Sequence, residues 1–379
     1  MDPYLKYIIV FIVITGALIL AILLTIVLIR LSAFLNENKF RVKAEEWENA
    51  FLNYLEGDYN LEESVRIFGR EKNYNWIWIF FYPYLNLLSG SDLNKTLALC
   101  HAIGLVAYNK SKLRLGSVNE KASAARALGS LRSREAIPEM FNFLQSKNPL
   151  LVQATAHGLA RPEYLDTFDP VARALISNTN FTFEGISEIL SGYGKEVCAV
   201  IVEMLKDKTA QRPQHDLAFN SRVKKNFHLT DQVDPYSFVN YYYVLIMIDL
   251  LGYFRYERAV QLLNNMLDTA DAETTVHILK SFKRMGTAPP NFDIKLFLDH
   301  QYWVVRSFAA QLCSLAADVS YNPKLESLLS DPHWWVRYHA AEALRSTGRE
   351  GLDVLSRKAD QSTGVSAAIS RYILERSVL

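Results

Sequence analysis

The chain has 379 residues, half of them apolar and 21% charged, with a formal net charge of +1. That composition belongs to ordered protein, and its charge balance excludes a strongly basic, polyanion-binding domain. Cys100, Cys198 and Cys313 are too few and too far apart for a disulfide scaffold or a CxxC metal site, and they fit a reducing compartment.

Residues 1–43 read as a membrane anchor with a juxtamembrane linker. Within them, Tyr7 to Ile29 runs without a charge. As a helix rising about 1.5 Å per residue, this run covers roughly 34 Å, enough for a bilayer core of about 30 Å. A cleaved signal peptide would have a shorter apolar region ending at small residues, whereas this run is long and stops at Arg30. Arg30, Lys39, Arg41 and Lys43 follow the span, while Lys6 and the amino terminus, offset by Asp2, precede it. The positive-inside rule then places the bulk of the chain in the cytoplasm behind a single span.

Residues 44–117 read as divergent helical units. Their run of aromatics, Trp76, Trp78, Phe80, Phe81, Tyr82 and Tyr84 within 73–88, is too short for a second span. It suits a buried helix, a headgroup contact or a partner contact, with Pro83 expected to kink a continuous helix.

From residue 118 a beat of about thirty residues sets in. Leu128, Leu159 and Leu190 are spaced by 31 and 31, and the segment 118–207 holds the recognisable copies EKASAARALGSL and LLVQATAHGLA. The interval 208–238 interrupts the pattern with an irregular basic insertion. Arg222, Lys224 and Lys225 there are candidates for meeting anionic lipid or an acidic partner, against the plainer reading of a solvated loop.

The beat resumes over 239–379 and is clearest from Asp331. Val336-Arg337, Ala340-Ala341, Ala343-Leu344 and Gly348 follow in order, and Val305-Arg306 with Ala309-Ala310 stand 31 residues upstream. Apolar residues at spacings of three and four, with Gly348 between two such sets, predict a pair of helices per unit. The paired alanines let neighbouring helices approach closely.

These residues resemble the short bacterial HEAT-like repeat also seen in phycobilin lyases. The match is close over 299–360, recognisable over 118–207 and weak over 240–298. The resemblance implies an all-α chain, an α-solenoid of helical pairs behind one transmembrane helix, and does not imply lyase chemistry. It also implies a stapling role for Asp331 and Arg337, which tie consecutive units at the turn, with Arg306 in the same place one unit earlier. The aromatic pairs Tyr302-Trp303 and Trp334-Trp335 exceed what the repeat requires. At least one tryptophan of each pair is expected to be buried; exposed side by side, they would form a contact ridge.

Catalytic signatures are missing. No HExxH, GxGxxG, GxxxxGK[ST] or GxSxG occurs, and the carboxylate pairs Asp166/Asp169 and Asp231/Asp234 suit helix caps better than acid–base work. No cofactor, metal or nucleic acid is expected, and the chain reads as a non-enzyme. The expected function is a membrane-anchored scaffold or accessory subunit whose solenoid surface binds a protein, itself a membrane protein. By analogy this extends to envelope assembly, with a membrane glycosyltransferase of exopolysaccharide synthesis as partner. The alternative is a lyase-like enzyme or carrier holding a pigment or lipid in the solenoid groove.

Overall fold

The computed structural model describes residues 3–178, 180–209, 235–289, 292–361 and 363–376. These are helical throughout, with no strand among the described residues, and the chain divides into two compact bodies, 1–136 and 137–379. The division falls inside the stretch 118–207 that the repeat pattern groups together. Arg222, Lys224, Lys225 and the Asp231/Asp234 pair lie outside the described residues.

The first body begins with one helix, α1 (Pro3–Glu56), 54 residues long. The expected linker after Arg30 is therefore helical, because residues 30–56 contain no glycine or proline and carry helix-favouring Leu, Lys, Glu and Ala. Its N-terminal half is the one helix among the described residues long and apolar enough to cross a membrane, and none of that apolar window is buried. Its C-terminal part enters the core through Trp47, Ala50, Phe51 and Tyr54.

Four shorter helices wrap this end: α2 (Leu61–Phe68), α3 (Tyr74–Leu87), α4 (Gly90–Ile103) and α5 (Leu105–Leu115). A capping box of Asn60 with Glu63 starts α2. The aromatic run forms α3, continuous across Pro83. It buries Ile77, Phe80, Phe81 and Leu85, with Phe80 and Phe81 edge-on to Phe51 at 6.1 and 5.4 Å, and leaves Ile79, Tyr82 and Leu87 exposed. One face is thus core; the other is free of the first body. The helix α6 (Val118–Ser130), opened by the capping box of Ser117 and Glu120, packs on α5 and carries the first copy of the repeat.

The second body is a two-layer stack. Its helices are α7 (Ile137–Leu144), α8 (Pro149–Leu159), α9 (Phe168–Ser177), α10 (Phe183–Ser191), α11 (Val197–Thr209) and α12 (Pro235–Tyr253). There follow α13 (Val260–Leu267), α14 (Ala272–Met285), α15 (Lys295–Leu298), α16 (Trp303–Ala316), α17 (Asn322–Leu328), α18 (Trp334–Ser346), α19 (Arg349–Gln361) and α20 (Val365–Arg376). Even-numbered helices from α8 to α20 each pack on the even-numbered helix before and after, and the odd-numbered ones pair with them from the other layer. This is the stacking of a solenoid, in which each unit buries its apolar face against its neighbours.

The period is carried by the even layer. The helices α14, α16, α18 and α20 begin at Ala272, Trp303, Trp334 and Val365, 31 residues apart each time. Leu128, Leu159 and Leu190 are all fully buried, as are Val305, Ala309, Ala310, Val336, Ala340 and Ala341. Gly286 and Gly348 follow α14 and α18 with φ of 73° and 72°, left-handed backbone that a side chain disfavours.

Close approach of the layers is most demanding at Gly252 on α12. A Cβ there would stand 2.8 Å from the Ser281 Cα and 2.5 Å from its Oγ. Ser281 is fully buried and donates to the Ile248 carbonyl at 2.9 Å, so it cannot swing aside. Gly252→Ala should cost about 1–3 kcal/mol, the usual range for overpacking a dense core. Urea denaturation reads this directly, and an unchanged midpoint would show that α12 and α14 can separate freely.

Candidate functional site

The repeat turn before α18 shows how sequence positions become fixed geometry. The Asp331 carboxylate, almost fully buried, accepts two hydrogen bonds from the Arg306 guanidinium, Nε at 2.8 Å and Nη2 at 3.1 Å, and one from the His333 N–H at 2.8 Å. The remaining Arg306 nitrogen, Nη1, donates to the carbonyls of His300 and Gln301 at 2.8 and 3.1 Å. The staple therefore joins Asp331 to the arginine of the preceding unit. Arg337 plays the carbonyl half of the role, donating to Asp331 O at 2.7 Å and Pro332 O at 3.0 Å. Asp299, which the pattern aligns with Asp331, instead pairs with Lys324 on α17.

This turn sets the first residues of α18, and with them an aromatic face. Trp334 and Trp335 are both exposed, at 46% and 52%. The expectation of one buried tryptophan in this pair is thus overturned. Both stand in the first turn of α18, before the Val336 that enters the core, and among the described residues no neighbouring helix buries them. Side chains four apart on a helix meet: Trp334 stacks on Tyr338 at 5.1 Å, and Trp335 on His339 at 5.9 Å. Trp334 and Trp335 themselves lie edge to face at 4.7 Å. Tyr338 reaches across to Tyr372 on α20 at 6.4 Å, and Arg376 donates to the hydroxyls of both tyrosines at 3.4 Å.

The upstream pair behaves differently. Tyr302 and Trp303 are half-buried; Trp303 stacks on the His333 ring at 5.0 Å, joining the face at its edge, while Tyr302 turns to His300 at 5.6 Å. Of the four aromatics singled out in the sequence, three gather in one region and Tyr302 stands beside it. Tyr338, His339 and Tyr372 were missed, although the i+4 spacing from each tryptophan was a signal for the first two.

Toward α14 and α16 the face turns polar, with Lys283 donating to Gln311. Burial, with help from the Lys283 ammonium and against Glu342, pushes the His339 imidazole down to about 4. His339 is therefore neutral at pH 7 and can present an uncharged ring to Trp335. Since the unfolded value is about 6.5, the unfolded chain takes up the proton first; the stability held by neutral His339 is complete above that pH and lost as pH falls towards 4. His339→Asn should flatten the stability curve in this window, measured by urea midpoints at a series of pH values. A wild-type slope in the variant would assign the dependence to other groups.

Among the described residues, no group of three or more His, Cys, Asp or Glu is placed to hold a metal ion. Asp169 accepts from Arg173 Nε at 3.0 Å, an ion pair within α9, and from the Tyr243 hydroxyl at 2.5 Å, which ties α9 to α12. The three cysteines are buried and unpaired, and burial pushes the Cys198 and Cys313 thiols up to about 12, away from thiolate chemistry. One dyad is buried: His277 Nδ1 lies 2.8 Å from the Asp249 carboxylate, which also accepts from Lys280 at 3.3 Å. Burial alone would raise the Asp249 pKa, but His277, Lys280 and Arg284 together hold it below its ordinary value. An open cleft of about 700 Å³ in the second body is lined by Phe141, Leu144, Lys147, Pro170, Arg173 and Asn178 among others, a wall of mixed polar and apolar character.

Comparison with known proteins finds a family likeness in one part of the chain. Residues 293–370 match the family model for HEAT repeats, covering the α16 and α18 units that form the aromatic face. No curated protein matches the chain. Among solved structures, a crystal structure of an engineered protein is similar over 83% of this chain and 83% of its own, at 13% identity and a TM-score of 0.31. The chain is all-α and solenoidal, and within it residues 293–370 are similar to HEAT repeats.

Proposed function

We propose that this protein is a non-enzymatic scaffold or accessory subunit, anchored in a membrane by α1, that holds a partner protein on the aromatic face of its C-terminal HEAT repeats. HEAT repeats support an interaction role in general. The observation that carries the reading is the exposure of Trp334 and Trp335 side by side, braced by Tyr338, His339 and Tyr372. Rigid aromatics lose little conformational freedom on binding and dominate the energetics of interfaces.

The finer reading follows the charges and the anchor. Arg30, Lys39, Arg41 and Lys43 after the span favour a cytoplasmic placement of both bodies at a bacterial inner membrane. An anchored scaffold searches for its partner in two dimensions, which favours a partner that is itself in the membrane. Envelope or exopolysaccharide synthesis, with a membrane glycosyltransferase, is the pathway this analogy points to.

The test is mild detergent extraction of the full-length protein after cross-linking, in wild type and in Trp334→Ala/Trp335→Ala. A protein recovered at fixed stoichiometry with wild type and lost from the variant is the expected result. Recovery of the protein alone, cross-linked or not, would overturn the scaffold reading.

A further inference from the structure

The first body has an orientation along α1 that its contacts fix residue by residue. Phe68, at the end of α2, packs on Trp47 at 5.7 Å, and the chain then passes through 69–73 until Trp76 lies 6.1 Å from Phe40. Tyr84 meets Phe51 at 4.8 Å, so α3 runs alongside α1 in the same direction, its N terminus nearest the apolar half. The helix α4 runs the other way. It starts level with the far end of α1, where the Tyr54 hydroxyl donates to Lys95 O at 3.1 Å, and finishes at Ile103, whose carbonyl accepts from Tyr74 at 3.4 Å. The helix α5 begins there: Tyr108 stacks on Tyr74 at 4.8 Å, and Lys112 donates to Asn75 at 2.9 Å.

One end of this body therefore collects the 69–75 turn and α5 beside residues 36–43 of α1, and that end is basic. It presents Lys39, Arg41, Arg70, Lys72, Lys112 and Arg114, against Glu37, Glu71 and Glu120, the last capping the turn after α5 beside Lys112, and residues 97–116 contain no carboxylate at all. The opposite end carries Glu56, Asp58, Glu62, Glu63 and Asp92. Sequence order hides this polarity, because the basic residues come from three separated segments.

The basic end faces the apolar half of α1 across a short, helical gap. The span ends at Ile29, and Phe40 follows it by eleven residues, roughly 16 Å at the rise of an α-helix. The headgroup layer takes up about 5–7 Å of this. What remains is roughly 10 Å, about one Debye length, over which the potential of an anionic leaflet persists at physiological salt. Continuous helix between them leaves no linker to turn the body away.

We infer that this end of the first body, the 69–75 turn and α5 with residues 36–43, is a docking surface for the anionic lipid headgroups of the bilayer that α1 crosses. The inference rests on α1 being a span. Charge complementarity selects the occupant, and the exposed Leu115, at 85%, supplies an apolar contact at the end of α5. The surface would hold the first body against the membrane in a lipid-dependent way.

The experiment uses the full-length protein in lipid nanodiscs, with an environment-sensitive fluorophore on Ser111→Cys. Labelling is selective because the native cysteines are buried. Quenching by spin-labelled headgroups should rise several-fold when phosphatidylglycerol replaces part of the phosphatidylcholine. It should return to the phosphatidylcholine level in high salt and in Lys39→Gln/Arg70→Gln/Lys72→Gln, all three exposed side chains. A label at Asp58→Cys, at the acidic end, should stay unquenched throughout. Equal quenching at Ser111 in both lipids would overturn the inference. The anchor has its own control: Ile22→Cys must be quenched by acyl-chain spin labels, and failure there would remove the span and this surface together.

Discussion

Asp331→Ala is expected to destabilise the second body by about 3–5 kcal/mol, the range for removing one partner of a buried charge pair. The carboxylate side chain is 5% exposed and the Arg306 side chain 15%, so water cannot replace what is lost. Three donors would be stranded at once: two on Arg306 and the His333 N–H. The Arg306 guanidinium would keep only its carbonyl contacts at His300 and Gln301. Arg337→Ala supplies the comparison. It removes hydrogen bonds to the Asp331 and Pro332 carbonyls and breaks no ion pair, so about 1–3 kcal/mol is expected. Urea denaturation of both variants checks the order. If Arg337→Ala proved the more damaging, the staple would not run between units through Asp331.

Trp334→Ala/Trp335→Ala should leave folding close to wild type and weaken partner binding by at least 2 kcal/mol, about thirtyfold in Kd. Both rings are about half exposed, so truncation opens no cavity, while Val336 and Ala340 beneath them still fill the core. Tyr338→Ala should act in the same direction, since it braces Trp334 and links the face to Tyr372. The measurement is a titration of the recovered partner against the variants, beside thermal melts. Loss of binding with an intact melt is expected; equal binding would move the interface elsewhere on the solenoid.

How much of this was legible in sequence depended on whether a residue's role is set inside its own unit. The 31-residue beat was legible because each unit needs the same small and apolar residues where helices touch: Leu128, Leu159, Val336 and Ala340 are all buried. Gly348 was readable as a stop for the same local reason. The staple residues Arg306, Asp331 and Arg337 could be picked out because they recur with the repeat, but the division of labour could not: the Asp331 carboxylate takes Arg306, 25 residues back across the turn, while Arg337 bonds the Asp331 carbonyl. Exposure of Trp334 and Trp335 was not legible, since whether an aromatic at a helix start is covered depends on its neighbours in space. The continuity of α1 was missed because the span was bounded by charge, and charges such as Arg30 and Lys39 sit comfortably on a solvated helix.

The central claim is that the partner lies on the aromatic face of the even layer. A photo-crosslinking amino acid placed singly at Trp335, Tyr338 or Tyr372, and at Lys324 or Arg357 in the odd layer, tests it in intact cells with the full-length chain. One shared adduct is expected from the first three positions and none from the last two. The same adducts from both layers, or none from the aromatic positions, would contradict it.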